Sequence, residues 1–283
     1  MKVVVTGGAG FVGANLCREF LRRHDFEVVV LDDLSTGRRA NLATLDVDLR
    51  IGSVLDPRAV AAACQGADTI VHLASAPAVP WSVEHPDRRH DADVVATRTV
   101  LAVARETGAH VVIGTGTPCH APDLDLCVFR LFNVFGPLQR PDHPGAPVIP
   151  SFIVDALNGR PVTIYGDGEQ PRDFTFVSTA AEVIAEAVGR RVTGPAPVDL
   201  AFGVPTTINE VVAVLAELLG RRVDVRRKPP RAGALRHAPV WSGGVTALFP
   251  RIRPVSLPHG LLRTLSWLEG QVTTMTGPSG APA

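Results

Sequence analysis

Gly7, Gly10 and Gly13 are the first residues whose type and spacing could do chemistry. They lie in Thr6–Gly13, Thr-Gly-Gly-Ala-Gly-Phe-Val-Gly. The apolar run Val3-Val4-Val5 precedes them, and a helical pattern with Val12, Leu16 and Phe20 on one face follows. A strand, a glycine turn and a helix N-terminus in that order let backbone N–H groups approach a pyrophosphate. Asp32 closes a second apolar run, at the distance downstream where a carboxylate meets an adenosine ribose. Ala74-Ser75-Ala76 follows another such run, and side chains this small leave room for a cofactor. An acid at position 32 favours NAD over NADP, because a 2′-phosphate would meet like charge. Arg38 and Arg39 keep NADP open.

These residues need a scaffold, and the first half of the chain supplies its pattern. Short apolar runs alternate with helical periodicity, the signature of stacked βαβ units and a parallel sheet. Strands are expected at Glu27–Leu31, Leu49–Ile51, Thr69–Leu73, Val111–Ile113 and Cys127–Phe132, with helices over Arg58–Ala63 and His90–Glu106. The second half changes texture. Pro137–Pro150 is proline-rich and reads as irregular. Helices are expected over Phe152–Asn158, Thr179–Gly189, Ile208–Leu219 and Leu261–Leu268, and strands over Thr163–Tyr165 and Val223–Arg226.

Composition narrows the classes. The chain has 283 residues, 46% apolar, with 28 basic and 28 acidic side chains. That length accommodates one large α/β domain and a smaller lobe. Zero formal net charge leaves no basic face for nucleic acid, so none is expected as a partner. Cys17, Cys64, Cys119 and Cys127 contain no C-x-x-C pair, which argues against a structural metal or a disulfide framework and for a reducing cytoplasm. Met1 runs straight into a strand, so no cleavable signal is expected. No apolar run approaches membrane-spanning length.

Thr6–Gly13, Leu31-Asp32-Asp33-Leu34-Ser35-Thr36-Gly37 and Val71-His72-Leu73-Ala74 resemble the extended short-chain dehydrogenase/reductases, in particular the nucleotide-sugar epimerases and dehydratases. The resemblance continues through Arg130–Pro137, Ile164-Tyr165-Gly166-Asp167-Gly168, Arg172-Asp173-Phe174 and, more faintly, Pro230-Arg231-Ala232-Gly233. It implies a doubly wound parallel sheet of Rossmann type with a smaller C-terminal substrate lobe. It also implies NAD contacts from Gly7, Gly10, Phe11, Val12, Gly13, Asp32, Asp33, Ser35, Thr36, Gly37, Ser53, Val54, Leu73, Ala74 and Ser75. The implied second ligand is a nucleoside-diphosphate sugar. Asn133 would meet its diphosphate or sugar region, Val148, Ile149 and Phe152 would line the nucleobase pocket, and Tyr165 would lie near base and ribose. Arg172 and Arg231 would grip the diphosphate.

The resemblance also implies a Tyr-x-x-x-Lys pair, which this chain lacks. Its one tyrosine is Tyr165, and its lysines are Lys2 and Lys228. The stretch Gly114–Leu126 between the fifth and sixth strands contains Pro118 and Pro122 and is too short for the expected helix. Thr115 matches the family's assisting hydroxyl. His120 has the best intrinsic pKa for a replacement base, and Cys119 could serve only with a lowered pKa. Two readings stay open: an epimerase working through a transient keto sugar with a non-tyrosine base, or a catalytically silent member acting as a partner or regulatory subunit.

The organisation expected is a cofactor domain over residues 1–133, rejoined by 178–202. The substrate lobe would comprise 134–177 and 203–272, with a frayed tail at 273–283. Losing a helix should expose apolar surface around Val94–Ala104, and therefore favour an altered homodimer or another protein partner.

Overall fold

Val3, Val4 and Val5 have no solvent-exposed surface, because the strand they form is covered on both faces. In the computed structural model, which describes residues 1–75, 91–114, 121–141, 147–230 and 243–275, this strand is β1 (Lys2–Thr6). The chain continues through α1 (Phe11–Arg22), β2 (Glu27–Asp32), β3 (Asp48–Ile51), α2 (Pro57–Ala63) and β4 (Thr69–His72). A π-helical turn at Asp91–Val95 leads into α3 (Ala96–Thr107), followed by β5 (His110–Ile113) and β6 (Leu126–Leu131). Then come β7 (Val134–Phe135), α4 (Val148–Leu157), β8 (Val162–Tyr165), β9 (Pro171–Asp173), β10 (Thr175–Phe176), α5 (Val177–Gly189), β11 (Val198–Leu200) and β12 (Pro205–Thr207). The chain finishes with α6 (Ile208–Leu219), β13 (Val225–Lys228), α7 (Gly244–Leu248) and α8 (Leu257–Met275).

The main sheet has seven strands in the order β11-β6-β5-β4-β1-β2-β3, and every pairing is parallel. The sheet is therefore doubly wound, with the order reversing between β1 and β4. Alternation along each strand divides the core. Val3, Val5, Val30 and Val112 face α1 and α5. Val4, Val29, Ile70 and Val111 face α2 and α3. A third cluster, built on Phe135, Phe152, Ile164, Phe176 and Leu215, holds the smaller lobe. Three two-stranded sheets, β7–β10, β9–β12 and β8–β13, frame that lobe.

The step from β5 to β6 departs from the usual βαβ plan. The strands pair in parallel with Val111 opposite Leu126, and among the described residues of 114–125 there is a turn and no helix. The geometry permits this. Returning along a strand as short as β5 requires roughly 13 Å, and a dozen extended residues reach about 40 Å. Ala121 and Leu124 pack into the α2/α3 side of the core, and Asp123 pairs with Arg105 of α3. Val100, Leu101, Val103 and Ala104 are all buried by the chain itself. Of the stretch Val94–Ala104 where apolar surface was expected, Val94 and Val95 stay half-buried and Ala102 is exposed, so among the described residues less of it is open than expected.

Several boundaries also differ from those expected. α4 begins at Val148 and includes Pro150, because a proline in the first helical turn surrenders no intrahelical donor. α8 spans Leu257–Met275, so the C-terminal stretch begins inside a helix at residue 273; residues 276–283 lie outside the described set. The strand expected at Val223–Arg226 is β13, shifted by its pairing with β8.

Phe129 on β6 is fully buried in the α1/α5 side of the core. Replacing it with alanine is expected to cost about 3–5 kcal/mol, read as a lower urea midpoint at unchanged m-value. A midpoint unchanged within error would show that β6 is not held by this packing.

Candidate functional site

Gly7 leaves β1 at φ +70°, a conformation that L side chains rarely adopt. A Cβ there would also lie 2.7 Å from the Ala74 backbone nitrogen, so the exits of β1 and β4 touch main chain to main chain. A Cβ on Gly13 would collide with the Gly7 carbonyl oxygen. The turn thus lies flat against the start of α1. The first helical bond runs from Ala14 N–H to the Gly10 carbonyl, so the N–H groups of Phe11, Val12 and Gly13 precede the ladder. No acidic residue occupies that first turn. Free donors and the positive end of the helix dipole suit an anion.

A cavity of about 580 Å³ opens over this turn at the reversal point of the sheet. Gly7, Gly10, Phe11, Val12, Gly13, Asp32, Asp33, Ser35, Thr36, Ser53, Val54, Leu73, Ala74 and Ser75 all line it. Leu31, Gly52 and Leu55 line it as well; their only sequence signal was adjacency to Asp32 and Ser53. Gly37 lies beside Asp32 and Ala9, where a Cβ would come within 2.8 Å of Asp32 Oδ1. Asp32 is 6% exposed and accepts the N–H groups of Ala9 at 2.9 Å and Leu34 at 2.8 Å. Burial raises its carboxyl pKa, and the two N–H bonds work against that rise. Ala9 is also held through its carbonyl, by Arg38 N–H and Asn41 Nδ2. The loop after β2 therefore clamps the glycine turn.

In the smaller lobe, Asn133, Val148, Ile149 and Arg172 line a cavity of about 200 Å³ with Phe174 and Ile208. An adjoining cavity of about 320 Å³ is lined by Val148, Phe152, Tyr165 and Arg172, together with Asp155, Thr163 and Gln170. Val148, Arg172 and Ile208 belong to both. Phe174 closes the Arg172-Asp173-Phe174 motif, whereas Ile208, the first residue of α6, carried no signal as a site residue. Asn133 sits at φ +40° and donates through Nδ2 to the Asp173 carbonyl at 3.1 Å. The Asp173 carboxylate accepts Gly203 N–H, and burial raises its pKa. Thr115, Cys119, His120 and Arg231 lie outside the described residues. Tyr165 belongs to β8, with the Lys228 ammonium 5.9 Å from its ring centroid; Glu169 is the residue four positions after it.

Beneath the large cavity, His72 is fully buried between Thr6 and Thr97. Burial pushes its pKa down to about 4.

The model of the NAD dependent epimerase/dehydratase family matches residues 3–125 and 119–203. The chain belongs to that family. The UDP-glucose 4-epimerase of Mycolicibacterium smegmatis is 27% identical over 96% of this chain and 99% of its own length. Among solved structures, the UDP-N-acetylglucosamine 4-epimerase of Methanobrevibacter ruminantium, in complex with UDP-N-acetylmuramic acid, superposes with a TM-score of 0.86 at 26% identity. That match covers 95% of this chain and 98% of the other. The UDP-glucose 4-epimerase of Thermus thermophilus, in complex with NAD, superposes with a TM-score of 0.82 at 26% identity, covering 95% and 99%. The family membership that the motifs suggested is thus established, on a model that matches residues 3–125 and 119–203.

His72 makes stability pH-dependent. Its folded pKa of about 4 lies below the ordinary 6.5, so between those values the unfolded chain binds the extra proton. The resulting stability is fully present above pH 6.5 and is lost as pH falls toward 4, by up to about 1.4 kcal/mol per pH unit. Urea denaturation should show His72→Gln with a shallower loss than the unmodified protein between pH 6.5 and 5. Parallel profiles would contradict this assignment.

Proposed function

We propose that this family member binds NAD over the glycine turn and a nucleoside-diphosphate sugar in the smaller lobe. It would epimerise that sugar through a transient keto intermediate at C4. The observation that carries this reading is the cavity at the sheet's reversal point, lined by a helix N-terminus and by Asp32. Phe11, Val12 and Gly13 N–H groups hold the pyrophosphate, and Asp32 takes the adenosine ribose hydroxyls and disfavours a 2′-phosphate. The flat turn, with no room for a Cβ at Gly7 or Gly13, fits such a group. When bound, NAD supplies the hydride acceptor for the sugar carbinol.

Arg172, shared by both smaller cavities, is the cation for the diphosphate, joined by Arg231. Val148, Ile149 and Phe152 receive the nucleobase, with Tyr165 beside it and Asn133 toward the sugar. The relatives named above as UDP-sugar epimerases support this ligand class. The hydroxyl proton passes to a base other than tyrosine. His120 is that base in this reading, Thr115 donates a hydrogen bond to the sugar oxygen, and Cys119 is the second candidate. Cys17, Cys64 and Cys127 are free and buried, which supports a reducing, cytoplasmic setting.

One observation favours a second reading, a silent family member that binds without turnover. Glu169 stands where a lysine would complete a pair with the chain's single tyrosine, which itself lies in the smaller lobe. Incubation with NAD and a panel of UDP-, TDP- and GDP-sugars, followed by NMR of the sugar, separates the two. Conversion is expected with at least one sugar. It should fall by about 10²-fold or more in His120→Ala and persist in Cys119→Ala. Binding without conversion across the panel would favour the silent reading.

A further inference from the structure

A one-way chain of hydrogen bonds runs beneath the cradle, and its direction follows from the donors and acceptors present. Thr97 Oγ1 donates its only proton to the Asp93 carbonyl at 2.6 Å. Its contact with His72 Nε2 at 3.2 Å must therefore be one it accepts, so Nε2 carries a proton. The ring is fully buried, and burial holds it neutral. Nδ1 is then a bare lone pair and accepts the Thr6 hydroxyl proton at 2.7 Å. With its proton committed, Thr6 Oγ1 accepts the Ala74 backbone N–H at 3.4 Å. The order is Ala74, Thr6, His72, Thr97, Asp93, and each hydroxyl and ring nitrogen is used.

The placement of these residues gives the chain a consequence for the site. Thr6 is the last residue of β1, immediately before Gly7, and His72 is the last of β4, two before Ala74. Gly7 and Ala74 are the two lips of the cavity and approach within backbone contact. Thr97 lies in the first turn of α3, behind the π-helical turn at Asp91–Val95. A strand end, a second strand end and a helix start are thus tied at one buried imidazole.

We propose that His72 is a positioning residue for the cofactor. As the neutral Nε2–H tautomer it fixes the Thr6 hydroxyl, which in turn holds the Ala74 backbone at the lip of the cradle. This rests on the reading that the cradle takes NAD. An imidazole that only filled core volume would have no preferred tautomer and no special tie to Thr6. Removing the Nδ1 acceptor leaves a buried hydroxyl proton unpaired, and the Thr6–Ala74 contact loses its orientation.

Two measurements test it. Nitrogen-15 NMR of the histidine rings in the unmodified protein should show His72 protonated on Nε2 and bare on Nδ1 from pH 8 to pH 5. A proton on Nδ1, or a charged ring at pH 6, would overturn the chain itself. Calorimetric titration of NAD then tests the link to the site. His72→Asn keeps an acceptor toward Thr6 but loses the reach to Thr97, whereas His72→Leu loses both. The asparagine variant should bind NAD within about twofold of the unmodified protein, and the leucine variant roughly tenfold more weakly, each titrated well below its own melting temperature. Equal losses in both variants, in step with melting temperature, would reduce His72 to packing and overturn the proposal. If His72→Leu does not fold, Thr6→Val and Thr6→Ser give the same contrast: about tenfold weaker against near-normal, with equal binding contradicting it. Failure of the unmodified protein to bind NAD would overturn the cofactor reading on which this rests, and the NMR result would still report on the chain separately.

Discussion

At the centre of the molecule main chain lies directly on main chain. Gly7 meets Ala74 and Gly13 meets Gly7 so closely that no side chain could be inserted at either glycine. This contact sets the height of α1 above the sheet and aims its first-turn N–H groups at the cavity. It also makes the site sensitive to events several residues away. The loop after β2 clamps Ala9 from both sides, through Asp32, Arg38 and Asn41. Under the lip, Thr6 and His72 connect the exits of β1 and β4. The backbone turn is thus held from several elements at once.

The same packing bears on the short connection from β5 to β6, whose described residues hold no helix. β5 and β6 pair in parallel with ordinary register although only the short segment 114–125 joins them. Ala121 and Leu124 supply apolar cover, and the α3 residues that a missing helix could have bared remain buried. The seven-stranded parallel sheet is thus complete, with no helix among the described residues of that segment.

The parts visible in the sequence were those decided by local pattern. The valine runs of β1, β2 and β5 announce a sheet buried on both faces, because few other environments accept such strands. The glycine spacing announces the turn because only glycine fits there. Ile208–Leu219 was legible to its ends because Thr207 and Glu210 form a capping box and Gly220 closes the helix in the left-handed conformation. What escaped detection depends on pairing across long distances. β7 and β10 are two residues each and exist only because they find one another. Ile208 reaches the smaller cavity from the start of α6, just past the antiparallel β9–β12 contact, which no periodicity signals. Pro150 read as a break, yet it lies in the first turn of α4, where a missing N–H costs nothing. Gly37 lies beside Asp32, where a Cβ would crowd the carboxylate.

The central claim is that a complete dinucleotide cradle survives in a chain whose single tyrosine sits in the other lobe. Calorimetric titration of the unmodified protein with NAD and with NADP tests it most directly. The account predicts one NAD per chain and clearly weaker NADP, because Asp32 lines the cavity where the ribose hydroxyls would sit. No binding of either dinucleotide, or a preference for NADP, would contradict it.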